Sequence, residues 1–179
     1  MSNIALSVTE SNVFASLRLF LLGILPDSTE VIAAQDNRVG EPRSASFITL
    51  TPMSRGRLST NVNSHANDLL AQSLKRTQAT QIVIQLDVHG PGSADLSQII
   101  STLFRDEYAV EAFAASGYDV APLFATDPKQ IPFMNAEQQF EDRWVIEMNL
   151  QANPALTLPQ EFAKTMSVEL IEVDAEFPP

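Results

Sequence analysis

The sequence predicts an α+β fold, in which a twisted, mainly antiparallel sheet carries helices on one face and an extended arm. The 179 residues suit one domain with a sizeable core. Predicted helices interrupt predicted strands along the chain. The strands alternate apolar and polar side chains, as antiparallel strands with one buried face do, whereas parallel strands read as continuous apolar runs. We therefore expect a single domain over residues 1–179.

The first predicted element is a helix over Val13–Leu25. Ser7 and Glu10 have the spacing of a capping box before it, and a glycine and a proline near residue 26 are stop signals. The segment is shorter than the ~20 apolar residues that a spanning helix needs, and Arg18 lies in its middle. The residues before it also lack the positive charge of a signal peptide. A packed helix, without membrane association, is therefore expected.

Two short strands and an arm are predicted next. The strands are Glu30–Ala34 and Phe47–Thr51, and Pro52 is expected to end the second because proline cannot donate to a ladder. Residues 52–64 hold little apolar surface, which favours a flexible arm in the form of a loop or a strongly bent segment. The apolar residues of His65–Leu74 fit neither period, so helix and strand both stay open there.

The clearest strand pattern is Thr80–His89, in which apolar residues occupy every second position. Gly90-Pro91-Gly92 follows it. No third glycine and no Gly-Lys-Ser/Thr motif accompanies these residues, so they predict a tight turn into a helix rather than a phosphate loop. That helix is expected to be capped by Ser93 or Asp95, and a second helix is predicted over Glu107–Ala115.

The remaining segments are predicted from alternation and from proline positions. Phe140 and Trp144 are expected in the core, since large aromatic side chains are usually buried. Residues from about 153 to 179 form a C-terminal extension. The predicted elements are a strand at Tyr118–Ala125 interrupted by Pro122, an alternating run at Gln139–Leu150, a loop at Pro154–Pro159 and a last strand at Met166–Val173.

Composition excludes several classes of function. The sequence has no cysteine, which rules out disulfides, thiolate zinc sites and cysteine nucleophiles. With 11 Lys+Arg against 22 Asp+Glu, the net charge is −11. Because phosphate binding requires positive charge, this total argues against general nucleic-acid binding.

One group of residues has the chemistry of a metal site. Asp87 and His89 lie two positions apart on the polar side of a predicted strand, and His65 could supply a third ligand. A small metal-dependent enzyme is therefore an alternative function. A zinc site needs three or four convergent ligands, so a solvated or interface-facing strand side is the favoured interpretation. We predict no catalytic residue, no cofactor and no metal, and hence no enzyme.

The charges are segregated along the chain. Residues 38–76 hold six basic and two acidic residues, whereas residues 105–179 hold four basic and 14 acidic ones. The segregation could be a chance feature of a surface. It could also serve head-to-tail self-association, in which the basic region of one copy meets the acidic region of the next and a ring closes. The candidate interface residues are Arg55, Arg57, Arg38, Arg43, Lys75 and Arg76.

Three segments resemble the phage neck terminator family, the tail terminators of long-tailed bacteriophages. They are Phe47–Leu58 (FITLTPMSRGRL), Gln85–Asp95 (QLDVHGPGSAD) and Glu141–Leu150 (EDRWVIEMNL). The order of a helix, two strands, an arm, a long strand, a helix and late strands also fits, so the resemblance covers about residues 8–152. The part after Asn153 matches no motif of the family.

The resemblance implies a virion structural protein of the phage neck and not an enzyme. Similar proteins form rings, typically hexamers, that cap the tail tube, end its polymerisation and join the tail to head-completion proteins. DNA passes through the ring without specific binding, and assembly takes place in the host cytoplasm. Another head–tail connector, a tail tube subunit and a monomeric protein-binding adaptor remain alternatives.

Overall fold

The computed structural model describes residues 4–34, 42–67, 72–134, 138–160 and 167–169. These residues form three helices and eleven strands in mainly antiparallel sheets, which confirms the predicted α+β class. The helices are α1 Glu10–Ile24, α2 Ser93–Phe104 and α3 Glu107–Ala115. The strands are β1 Glu30–Ala33, β2 Phe47–Arg57, β3 Val62–Asn67, β4 Gln72–Thr77, β5 Thr80–His89, β6 Val120–Ala125, β7 Lys129–Gln130, β8 Phe133–Met134, β9 Phe140–Glu141, β10 Arg143–Ala152 and β11 Ala155–Pro159.

The central sheet has the strand order β1-β2-β5-β10-β6, with β7 also paired to β10. Only the β1–β2 pair is parallel among the described strands of this sheet. Strand β5 lies at its centre and begins and ends where the sequence predicts. Its alternate residues Ile82, Ile84, Leu86 and Val88 are buried in the core that the helices share. The predicted alternation is confirmed, because these side chains point to the helical face.

Three phenylalanines join the helices to one another above this sheet. Phe20 of α1, Phe104 of α2 and Phe113 of α3 are fully buried. Their ring centroids lie 5.6 to 6.1 Å apart, two of the pairs edge to face. Such contacts between aromatic rings stabilise the fold beyond what the burial of apolar area contributes. The helices therefore form one packed layer on one side of the sheet, as predicted.

Helix α1 is capped by Thr9 rather than by the predicted Ser7. The Thr9 hydroxyl accepts from the Asn12 amide at 3.4 Å, and the Asn12 side chain accepts from the Thr9 amide at 2.8 Å. Ser7 is engaged elsewhere, because its hydroxyl accepts from the amide of Ala155 at the start of β11. None of the three helices in the described part of the chain is long and apolar enough to span a membrane.

Strand β2 continues past Pro52, where the sequence predicts its end. A register shift between Pro52 and Ser54 forms a bulge, and pairing with β5 resumes as far as Arg57 opposite Thr80. Pro52 stays opposite Ile84 and the bulge leaves Met53 without a partner, and bulges are among the few places in a sheet where proline is found. Part of the predicted arm at 52–64 is thus strand, since β2 ends at Arg57 and β3 begins at Val62. The flexibility of this arm stays a prediction.

A second sheet of three strands, in the order β11-β4-β3, extends the central sheet at one end. Strands β3 and β4 resolve the ambiguous stretch 65–74 as strand, apart from residues 68–71, which lie outside the described residues. The predicted loop at Pro154–Pro159 is wrong, because Ala155–Pro159 pairs with β4. Two hydrogen bonds link the sheets, from the Leu58 amide to Ala79 at 2.9 Å and from the Gln78 amide to Pro154 at 3.1 Å.

Two smaller differences concern helix and strand starts. Gly92 caps α2 with a left-handed backbone and no side-chain hydrogen bond, so neither Ser93 nor Asp95 is the cap. Strand β6 begins at Val120 and retains Pro122, with a register irregularity beside it. Helix α3 has the predicted bounds. The predicted strand Met166–Val173 lies outside the described residues, except for residues 167–169, which form no strand.

Candidate subunit-contact surfaces

Four of the six predicted interface residues lie at one end of the molecule. Strand β2 places Arg55 and Arg57 there, and β4 places Lys75 and Arg76 there. The end of β2 and the end of β4 lie close together, because Arg57 pairs with Thr80 and Thr80 comes only three residues after the last residue of β4, Thr77. All four basic side chains are exposed. We call Arg55, Arg57, Lys75 and Arg76 the basic end.

The residues of the basic end differ in their surroundings. Arg55 forms an ion pair with Glu10 at 3.0 Å, and both side chains are exposed, so the pair contributes at most about 1 kcal/mol. Lys75 and Arg76 are consecutive in a strand and therefore point to opposite faces of the small sheet. Arg76 lines a cleft of about 190 Å³ together with Leu6, Asn61, Gln78, Pro154, Leu156 and Leu158.

Arg43 lies at the other end of the sheet. It precedes the first residue of β2, whereas Arg57 is the last, and a strand of this length spans roughly 30 Å at about 3.3 Å per residue. Its amide donates to the carboxylate of Glu30 at 3.0 Å. Arg38 lies outside the described residues. The structure thus brings four candidates together and separates Arg43 from them.

Exposed apolar side chains accompany the basic end, and no pattern in the sequence indicates them. Leu58 is 46% exposed and Val62 64% exposed. Val62 pairs with Thr77, and Ser64, two residues further along, pairs with Lys75, so Val62 and Lys75 share one face. Leu58 and Val62 stand singly among polar residues, so the sequence shows no apolar run at these positions. The basic end therefore combines positive charge with apolar surface.

A small hairpin at the opposite end of the sheet carries the contrary charge. Its strands β8 and β9 pair Met134 with Phe140 and Phe133 with Glu141. The sequence from Ile131 to Asp142 contains three acidic residues and no Lys or Arg. We call residues 131–134 together with 138–142 the acidic hairpin; residues 135–137 lie outside the described residues.

The prediction that Phe140 belongs to the core is wrong. Its side chain is 76% exposed, and Met134 opposite it is 54% exposed. The alternating pattern does not continue as one strand, because β9 pairs with β8 and the long strand β10 starts only at Arg143. Trp144, the other residue predicted in the core, is half-buried and packs against the hydrophobic core.

Behind the acidic hairpin, the helix-free face of the sheet holds an ordered polar cluster. Arg143 donates to Oδ1 of Asp87 from Nε at 2.9 Å and from Nη2 at 2.6 Å. Gln85 donates to both carboxylate oxygens at 3.0 Å, and the Thr49 hydroxyl donates to Oδ2 at 3.4 Å. Asp87 is buried, so these bonds replace its hydration.

His89 lies next to this cluster, between two aromatic rings. Phe47 stacks on it at 4.5 Å, and Phe133 of the acidic hairpin meets its edge at 5.9 Å. Its buried Nδ1 has no hydrogen-bond partner among the described residues. Burial lowers the pKa of His89 below its usual 6.5, and Arg143 lowers it further, while Asp87 and Glu141 act in the opposite direction. The neutral imidazole is therefore the favoured form.

The structure separates the three candidate metal ligands. His65 lies on β3 in the small sheet, whereas Asp87 and His89 lie towards the far end of β5. The described residues contain no group of three His, Cys, Asp or Glu side chains that could hold a metal ion. Asp87 and His89 instead belong to the packed side of the sheet behind the acidic hairpin.

Comparisons with known proteins identify one family. The family model described as "Phage neck terminator protein" matches residues 11–174. Among solved structures, a chain from the virion of a native gene transfer agent particle is 12% identical, with 80% of this chain and 91% of that chain covered and a TM-score of 0.26. At this TM-score the similarity does not establish a shared fold. No curated protein matches the chain.

Proposed function

The chain belongs to the phage neck terminator protein family, a family of virion structural proteins, and we propose that it acts by forming a closed ring that caps the tail tube. The observation that carries the proposal is the family match, which extends over residues 11–174. In this role the ring ends tail polymerisation and presents a surface for the head-completion proteins. Its partners are further copies of the same chain, typically six copies in the whole ring, together with the tail tube protein and a connector protein on the head side.

The distribution of charge supports the ring. The basic end and the acidic hairpin lie at opposite ends of the central sheet, so they cannot neutralise each other within one copy. A contact between unlike ends is heterologous, and it closes into a ring when the rotation between copies permits. Opposite charges also steer copies together and fix their orientation.

The charge of the whole chain suits a channel for DNA. A net charge of −11 repels phosphates, so a ring of such subunits would let the duplex pass without holding it. The protein would assemble in the host cytoplasm and remain in the neck of the virion. No cofactor, metal or catalytic residue has a part in this function.

The experiment uses purified tail tube subunits of the same phage, polymerised with and without this protein. A terminator shortens the tubes in proportion to its concentration and leaves a ring at one tube end, as seen by electron microscopy. Tubes formed by the protein itself would identify a tube subunit. Binding to the head-side connector with no effect on tube length would identify a different connector protein. A protein that remains one subunit and caps no tube would contradict the proposal and favour an adaptor.

A further inference from the structure

The acidic hairpin presents an apolar pair to solvent. Met134 and Phe140 are directly opposite each other, and opposite residues of an antiparallel pair have Cβ atoms about 5 Å apart. With exposed fractions of 54% and 76%, they form one patch rather than scattered residues. Within the described part of the chain, β8 and β9 pair only with each other. Exposed apolar patches of this kind mark interaction sites.

The hairpin is held in place by its other face. Side chains alternate between faces along a strand, so Phe133 and Glu141 point away from Met134 and Phe140. Phe133 packs its ring against His89 at the end of β5. The Ile131 amide donates to the carbonyl of Arg143 at 3.0 Å, which fixes the entry to the hairpin. The outward pair is therefore anchored before any partner binds, which lowers the entropy lost on association.

The basic end offers a surface of complementary chemistry. Leu58 and Val62 are exposed there, and Arg57 and Lys75 lie beside them in sequence or on the same sheet face. The Leu58 amide is bonded to Ala79, so this residue too is held by backbone structure. These exposed apolar side chains flanked by basic groups match the exposed pair Met134 and Phe140, which the exposed acidic residue Asp142 follows two positions after Phe140.

The two surfaces cannot meet within one copy. The acidic hairpin contacts β5 at His89, and the basic end pairs with β5 at Thr80. These residues are the two ends of a ten-residue strand, so roughly 30 Å separates them at about 3.3 Å per residue. Their complementarity can be satisfied only between molecules.

We propose that the acidic hairpin of one copy docks on the basic end of the next, with Met134 and Phe140 packed against Leu58 and Val62. The occupant is a second copy because the charge and the apolar content of the two surfaces match, and because their placement at opposite ends gives a heterologous contact. This inference rests on the proposed ring and names its subunit contact. Buried aromatic anchors surrounded by polar residues carry most of the energy of such interfaces.

Cysteine crosslinking tests the contact directly, since the natural chain has no cysteine. The variant carries Val62→Cys and Phe140→Cys and is treated with a short bismaleimide crosslinker. The proposal predicts a ladder of covalent oligomers that ends at the copy number of the ring. Each single-cysteine variant should give no crosslink. The matched control pairs Val62→Cys with Val110→Cys, a position on α3 that is 55% exposed, and should give no ladder.

A second variant tests the energetic role of the hairpin. Met134→Ser with Phe140→Ser should raise the protein concentration for half-maximal assembly at least tenfold, while Val110→Ser should leave it unchanged. Circular dichroism checks that each variant is folded.

Three results would overturn the inference. They are dimers formed by Phe140→Cys alone, a double-cysteine variant that still forms the ring but gives no ladder, and crosslinking of Phe140→Cys to the tail tube protein instead of to another copy. Failure of the ring itself is seen separately, as a wild-type protein that stays at the mass of one subunit in sedimentation.

Discussion

Arg143 on β10 donates two hydrogen bonds, of 2.6 and 2.9 Å, to one carboxylate oxygen of Asp87 on β5. The Asp87 side chain is only 6% exposed. The other oxygen accepts from Gln85 on the same strand. The pair ties the two central strands together at the end of the sheet where the acidic hairpin begins.

Removing the arginine from this pair should destabilise the fold. In Arg143→Met the carboxylate of Asp87 stays buried with only its neutral donors, so we expect a loss of about 2–3 kcal/mol in the free energy of unfolding. Urea denaturation measures it. Combining Arg143→Met with Asp87→Asn should recover most of the loss, because no charge is then buried. Equal stability of Arg143→Met and wild type would contradict this account of the pair.

Gly90 and Gly92 provide a matched test of the turn before α2. Both have positive φ, of 91° and 76°. A Cβ at Gly90 would lie 2.0 Å from the carbonyl oxygen of Ala45, whereas nothing lies within 4 Å of one at Gly92. Gly92→Ala should therefore cost about 1–2 kcal/mol for the left-handed backbone, and Gly90→Ala about 1–3 kcal/mol more for the clash. Thermal unfolding of both variants checks the order, and equal losses would contradict it.

Stability should fall with pH below about 6.5 because of His89. Its pKa in the folded protein is lowered by burial, so the unfolded chain takes up a proton at a higher pH than the folded one. The loss begins near the usual value of 6.5 and stops once pH passes the lowered pKa. Urea denaturation at pH 7.5 and at pH 6 gives the free energy of unfolding at each pH. The difference between these two values should be smaller for His89→Gln than for wild type. His65→Gln, which removes the other histidine, is the control; an unchanged difference in His89→Gln would refute the prediction.

Charge reversal should separate the two groups of basic residues. Arg57→Glu with Lys75→Glu places negative charge at the basic end, and we expect the concentration for half-maximal assembly to rise about tenfold or more. Arg43→Glu adds a reversal at the distant end of the sheet and should have a smaller effect. Sedimentation at two salt concentrations measures the assembly of both variants. Because salt screens surface charges, the difference between each variant and wild type should be smaller at the higher salt concentration. Equal effects of the two reversals would show that position is irrelevant.

The sequence predicted those parts of the fold in which local pattern and packing agree. Strand β5 and helix α3 have the predicted bounds; the alternation of β5 coincides with its burial, and the structure adds that Asp106 caps α3. Helix α1 begins at Glu10, three residues before the predicted Val13, and Thr9 caps it because the Ser7 hydroxyl accepts from the Ala155 amide of β11 instead. No local pattern near Ser7 reveals a partner almost 150 residues away.

The positions of the basic end and the acidic hairpin could not be predicted, because they follow from pairing between strands that are distant in the sequence. The sequence shows the basic region as a run of charges, but the length of the extended strand β2 is what separates Arg43 from Arg57. The alternating neighbours of Phe140 predict one continuous strand, whereas β9 pairs back on β8 and leaves this side chain exposed. Pro154 and Pro159 predict a loop, but the pairing of Ala155–Pro159 with β4 outweighs that signal and makes β11 a strand.

The mass of the purified wild-type protein in solution tests the central claim most directly. Sedimentation equilibrium over a hundredfold range of concentration should reveal a single closed species whose mass is a fixed multiple of one chain, with no larger assembly as concentration rises. A mass that remains that of one chain, or that grows without limit into filaments, would contradict a ring that closes through unlike ends.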